Sequence, residues 1–239
     1  MKILLVRLSS MGDLIHTLPA VEDLARQCPD VELHWLCEAG FADIVRLHPF
    51  VKKVHVMKWR QWRKQLFQAE TWREIGRLKT DLQVESFDFV LDSQGLIKSA
   101  CFAKMAKSPI YGLDKHSARE SLAALAYGKT FAVPKGKNAV WRNRELFAQV
   151  FGYTMPETQV FGLSVPESGR LKNVQFPYYV ALHATSRDSK LWPVEHWRAL
   201  LKKLNEEQQC NVYLPWGNET EKMRAEQIAS DLPFASVCD

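Results

Sequence analysis

Long apolar runs are missing from this 239-residue chain. No window approaches the ~18 uninterrupted apolar residues of a spanning helix. The N-terminal MKILLVRL has a short apolar core broken by Arg7 and followed by polar SSMGD, so it does not read as a signal peptide. Cysteine is sparse and scattered: Cys28, Cys37, Cys101, Cys210 and Cys238 form no C-x-x-C pair. That argues against a cysteine zinc site and against a disulfide scaffold, and makes a reducing cytoplasm the simplest compartment. No G-x-G-x-x-G occurs, so the dinucleotide fingerprint is absent, which counts against a nucleotide-dependent oxidoreductase. The net charge of +5 is too small to point to nucleic acid first, but it favours an anionic partner, such as a phosphorylated metabolite or a membrane face.

What is present is a recurring alternation. Short apolar runs fall at Ile3–Val6, Glu32–Leu36, Val54–Met57, Phe89–Leu91, Tyr178–Leu182 and Asn211–Leu214. Between most of them lie segments of helical spacing, such as Leu14, Leu18, Val21, Ala25 and Trp197, Leu200, Leu201, Leu204. Apolar strands alternating with helices predict a parallel sheet covered on both faces, an α/β doubly wound architecture. Pro19 predicts a kink or a restarted helix. The Gly-, Pro- and polar-rich stretch 160–177 reads as an interdomain linker, dividing residues 1–165 from 175–239. After it the strand–loop–helix order restarts and stops in what reads as a third strand. The second domain is therefore expected to be only partial here.

In open α/β sheets ligands sit beyond the carboxyl ends of the strands, and four loops there carry suitable residues. In SSMGD (9–13), Ser10 and Gly12 precede Asp13, with Gly12 allowing a tight turn and a ligand's approach. Asp13 reads either as a helix-start acid favoured by the dipole or as a catalytic carboxylate. In LDSQGLIKSA (91–100), Lys98 falls in a first helical turn, where a cation is dipole-unfavourable and needs a reason. In HATSRDSKLWP (183–193), Thr185, Ser186, Arg187 and Lys190 suit a pyrophosphate, or form an ordinary polar connection. In LPWGNETE (214–221), Glu221 reads as a ribose ligand or a first-turn acid. A fifth stretch, KKVHVMKWRQWRK (52–64), has six Lys/Arg and no acid, interleaved with Trp59 and Trp62, as suits lipid headgroups or an acidic saccharide.

Together ILLVRLSSMGDLIHTLPA, LDSQGLIKSA, DKHSARESLAALAYGK, HATSRDSKLWP with EHWRALL, and LPWGNETE resemble the ADP-heptose–lipopolysaccharide heptosyltransferases of glycosyltransferase family 9. The resemblance runs through the whole chain. DSQGLIKSA and the Lys190 loop point to the branch that adds the first heptose to Kdo–lipid A. It implies a GT-B fold, with two Rossmann-like domains facing across a cleft, the first for the acceptor and the second for the ADP-sugar. It implies an inverting transfer of heptose from ADP-heptose to Kdo, with Asp13 as general base and no cofactor or essential metal. Lys190 would neutralise the leaving diphosphate, with Thr185 and Ser186 as further donor ligands and Glu221 on the ribose. Ser10, Gly12, Lys98, Arg119, Arg60, Arg63 and Lys64 would meet the anionic acceptor, at the cytoplasmic face of the inner membrane. The family's Asp-Thr-Gly-type loop with a nearby His has no counterpart in this sequence. The alternatives are a sibling transferase, such as the type II enzyme, and a non-catalytic anion- or membrane-binding protein.

Overall fold

The computed structural model describes residues 1–165, 174–185 and 187–238. The chain divides into two compact units, Met1–Pro166 and Glu167–Asp239. In the first, the apolar runs become strands. These are β1 (Lys2–Val6), β2 (Glu32–Glu38), β3 (Val51–Met57), β4 (Phe89–Asp92), β5 (Ile110–Leu113) and β6 (Lys129–Phe131). All pair in parallel, in the order β3-β2-β1-β4-β5-β6. The runs of β1, β2 and β4 are buried on both faces, and that of the edge strand β3 only in part. The helices of this unit are α1 (Met11–Ile15), α2 (Leu18–Gln27), α3 (Ala42–Arg46), α4 (Trp59–Trp62), α5 (Ala69–Val84), α6 (Ile97–Ala103) and α7 (Ala139–Phe151).

The two faces of the sheet bury separate cores. Ile3 and Leu5 pack with Leu18, Val21 and Leu24 of α2 and with Leu146 and Phe147 of α7. Leu4 and Val6 point the other way, onto Leu78 and Leu82 of α5 and Phe102 and Ala103 of α6. Each such side chain contributes about 1.5–3 kcal/mol by leaving water. The helix does restart at Pro19: α2 begins at Leu18, so Pro19 stands in a first turn that needs no N–H from it. β5 and β6 have no counterpart among the apolar runs of the sequence. β5 is four residues interrupted by Gly112, where a Cβ would meet the Tyr127 ring at 2.6 Å.

The chain leaves β1 to one side and returns to β4 on the other, so the strand order reverses between them. The loops after β1 and β4 therefore open side by side at the sheet's carboxyl edge, where a crevice forms.

The second unit has β7 (Tyr178–Val180), β8 (Asn211–Leu214) and β9 (Ala235–Val237), parallel and in that order, with α8 (Val194–Gln208) and α9 (Glu219–Ala229). Leu201, Val212, Leu214, Ala225 and Ile228 form its core. Of the α8 stripe expected from sequence, Trp197, Leu201 and Leu204 pack inward, but Leu200 is partly exposed. In the expected linker, Phe161 still packs on the first core and the Ser164 N–H donates to the Leu47 carbonyl at 2.8 Å. Residues 166–173 of that stretch lie outside the described residues. Among the described residues, no helix is long and apolar enough to cross a membrane.

Candidate active site

The loop after β1 delivers Asp13 in the first turn of α1. Its Oδ2 accepts from the Ser10 backbone N–H at 2.9 Å and from Ser10 Oγ at 3.2 Å. Asp13 thus closes the helix start, as a first-turn acid should. Its other oxygen, Oδ1, lies 3.6 Å from Arg7 Nη2. Gly12 has an ordinary helical backbone without positive φ, so the turn does not demand glycine. A Cβ there would meet nothing, which leaves open space in front of the helix start.

Arg7, the last charge expected inside an apolar run, is buried. Its Nη1 donates to the Ser93 carbonyl at 2.5 Å. Burial pushes the guanidinium's pKa down, while Asp13 and Asp92 hold it up. The next residue ties the two strand ends together: Leu8 N–H donates to Gln94 Oε1 at 2.7 Å.

Asp92, fully buried at the end of β4, shapes the second loop. It accepts from the backbone N–H groups of Gln94 (2.9 Å) and Gly95 (3.3 Å), from Ser99 Oγ (2.7 Å) and from Tyr127 OH (2.8 Å). Burial raises its pKa; the four donors oppose that. Gly95 adopts φ +66°, and its carbonyl accepts from Glu120 N–H at 2.9 Å. Glu120 Oε2 in turn accepts from Ile97 N–H at the start of α6, at 2.7 Å. This latch fixes the loop that carries Arg119.

A cavity of about 440 Å³ lies between these loops and α7. Asp13 is the sole acid among its described lining residues; Arg7, Arg119, Lys135 and Arg142 are its cations. Asn143 of α7 seats the wall by donating to the His16 carbonyl and Thr17 Oγ1, both at 3.1 Å. Arg142 Nη2 donates to the Ser117 carbonyl at 2.6 Å.

Asp13, expected as the base, and Arg119, expected on the acceptor, meet in this cavity, whereas Ser10, Gly12 and Lys98 do not line it. Lys98 lies in the field of Arg60, Arg63, Glu38 and Glu120. Burial lowers its pKa most, the two arginines add to that, and the two acids oppose it. Glu38 and Glu120 only partly offset the cost of a lysine in that first turn. Arg60 stacks over Phe41 at 4.9 Å, and Arg63 and Lys64 are exposed. The tryptophans of the basic stretch do not share its exposed surface. Trp62 is buried, donates from Nε1 to Glu74 and stacks on Phe102, and Trp59 packs edge-on to the same ring. Helical spacing turns them inward while the arginines face out.

In the second unit, Glu221 stands in the first turn of α9. Its Oε2 accepts from Gly217 N–H at 2.8 Å, and its own N–H donates to Asn218 Oδ1 at 3.0 Å. It lines a small cavity of about 170 Å³ with His183, Pro215 and Trp216, at the carboxyl ends of β7 and β8. Thr185 and Lys190 are exposed on the loop after β7, Lys190 closing a short 3-10 turn. Ser186 lies outside the described residues.

Sequence reasoning passed over Arg7, Ser93, Lys135, Arg142 and Asn143 as site residues. Only Arg7 carried a local signal, a charge within an otherwise apolar strand run.

A family model described as glycosyltransferase family 9 (heptosyltransferase) matches residues 75–239. Lipopolysaccharide heptosyltransferase 1 of Pseudomonas aeruginosa is 41% identical over 239 residues, covering 99% of this chain and 67% of that protein. The Escherichia coli protein of the same name is 39% identical, covering 99% of this chain and 75% of its own length. Among solved structures, an Escherichia coli heptosyltransferase with ADP-2-deoxy-2-fluoro heptose superposes with a TM-score of 0.90 at 39% identity, covering 100% of this chain and 76% of that one.

Proposed function

The chain belongs to glycosyltransferase family 9, and from that premise we propose that it moves heptose from ADP-heptose to a Kdo hydroxyl of Kdo–lipid A with inversion at the anomeric carbon. The observation that carries this reading is Asp13, the single carboxylate among the described lining residues of a cavity whose other charged side chains are four cations. The acceptor brings carboxylates and phosphates, which guanidinium forks bind in register. Arg119, Lys135 and Arg142 hold those groups and orient the acceptor. Arg7 and the Ser10 backbone N–H hold the Asp13 carboxylate in place. As the acceptor oxygen bonds to the anomeric carbon, its proton passes to Asp13. The carbon–oxygen bond to the diphosphate breaks, and ADP leaves with the electron pair.

On the donor side, Lys190 meets the developing diphosphate charge with Thr185 and Ser186. Glu221, presented on the rim of its small cavity, binds the ribose. The residue 1–165 domain is the acceptor half and 175–239 the donor half. The acceptor's lipid tails keep the protein at the cytoplasmic membrane face. Leu66, Phe67 and Trp72 are exposed apolar groups a few residues from Arg60, Arg63 and Lys64, a mixture suited to anionic headgroups.

The test is transfer from ADP-heptose to Kdo–lipid A in EDTA. Asp13→Asn preserves the acceptor atom for Ser10 N–H, so the fold should survive while turnover falls by about 10²–10⁴. Turnover close to wild type would remove Asp13 as base. ADP release independent of acceptor would remove the transferase reading itself.

A further inference from the structure

Outside the cavity, on the two strands at the β3 edge of the first sheet, three metal-competent side chains converge. His34 of β2 and His55 of β3 stand on the same face, because His55 pairs in register with Leu36, two residues beyond His34. Both rings are buried, 2% and 4% exposed, and Phe87 packs edge-on against both. His34 Nδ1 lies 3.0 Å from His55 Nε2 and 3.9 Å from Glu85 Oε2, and the three donor atoms fall within 4.8 Å of one another. Tetrahedral bonds of ~2.0–2.1 Å place ligand atoms about 3.3 Å apart, so small adjustments suffice.

The far side of His34 is also arranged for this. His34 Nε2 donates to Glu32 Oε1 at 2.9 Å, since a carboxylate only accepts. That fixes the proton of neutral His34 on Nε2 and turns a bare Nδ1 lone pair toward His55. A carboxylate behind a histidine is the usual support of a metal-bound imidazole. We propose that His34, His55 and Glu85 bind a divalent first-row cation of the zinc type, with Glu32 positioning His34.

Two imidazoles and one carboxylate select Zn²⁺ or Co²⁺ over Mg²⁺ or Ca²⁺, which prefer oxygen alone. Without metal, neutral His55 carries its one proton on Nε2 and donates it to His34 Nδ1; when the cation takes that place, His55 changes to the tautomer protonated on Nδ1. Lys53 and Lys2 bind the Glu85 carboxylate at 2.6 and 2.9 Å. On metal binding the half-exposed Lys53 would have to turn to solvent, and Lys2, which donates to Oε2 itself and lies 3.1 Å from Glu32 Oε1, would share that oxygen with the cation. His55 also lines a groove of about 350 Å³, together with the acids Glu74 and Asp81 and the cations Lys53, Lys58 and Arg77. The site pins the edge strand β3 to β2 and to the end of α5. It takes no part in transfer, so it coexists with a metal-independent reaction.

Titration of EDTA-stripped protein with Zn²⁺ should show one equivalent bound and a raised Tm, and Co²⁺ should give visible d–d absorption. His55→Gln and Glu85→Gln should each weaken Zn²⁺ at least tenfold, and Glu32→Gln about tenfold through the lost support. Asp13→Asn should bind as wild type does. Should those variants fold poorly, long-range ¹H–¹⁵N spectra of the wild type report directly: Zn²⁺ should shift the ring nitrogens of two histidines. Shifts at other histidines, affinity weaker than ~100 µM, or binding unchanged in the variants would overturn the assignment.

Discussion

Asp13 serves two purposes at once. Through Oδ2 it closes the start of α1, and through Oδ1 it faces a buried arginine and a cationic cavity. The sequence shows the first role in its residue type and position; the second depends on Arg119 and Arg142, more than a hundred residues later. Arg7 was legible only as a break in an apolar run, since what permits its burial is the Ser93 carbonyl and the Asp13 carboxylate. Gly112 is a similar case. It looks like a weak point in a strand, yet a Cβ there would meet the Tyr127 ring at 2.6 Å, and Tyr127 OH supports Asp92 at 2.8 Å. Gly112→Ala should therefore destabilise by about 1–3 kcal/mol through overpacking. Its urea midpoint should fall; an unchanged midpoint would mean the ring shifts at no cost.

The loop from Asp114 to Glu120 acts as an element without being a helix or strand. Its ends are tied: Ala118 N–H donates to the Asp114 carbonyl at 2.8 Å, and Glu120 bonds both Gly95 and Ile97. The acid that α6 lacks in its own first turn is thus supplied from this loop, where it also offsets the repulsion between Lys98 and its arginine neighbours. Such a cap is invisible to local spacing rules, which look for it within three residues. Strand existence was legible for β1–β4 and β7–β9 because those runs are apolar and bounded; β5 and β6 were not, being interrupted by Gly112 and opened by Lys129 and Thr130. Glu120→Ala should loosen the Arg119 loop. Acceptor KM should rise about tenfold while donor KM holds, if one oriented charge contact is lost. Equal changes in both constants would argue for general unfolding instead.

At the level of the whole molecule, folding buries imidazoles in both units. His48 in the first and His183 in the second are 1% and 3% exposed. Burial is the main cause that lowers the pKa of each below the ordinary 6.5; Glu22 opposes it at His48 and the Pro215 carbonyl at His183. Between 6.5 and the lowered folded value, the unfolded chain binds a proton that the folded one refuses. Unfolding then takes up protons, so stability falls as pH drops through that window and is full above it. His183 Nε2 donates to the Pro215 carbonyl at 3.1 Å, joining the loop after β7 to the loop after β8, which leads into α9 and Glu221. Acid should thus loosen the proposed ribose site along with the second unit. Urea unfolding followed by tryptophan fluorescence should give a lower midpoint at pH 5.5 than at 7.5. His183→Gln keeps an N–H donor for Pro215 but cannot titrate. It should remove part of that pH dependence while leaving the midpoint at pH 7.5 near wild type. A pH dependence fully retained in His183→Gln would place the acid sensitivity elsewhere, on His48 and the other buried imidazoles of the first unit.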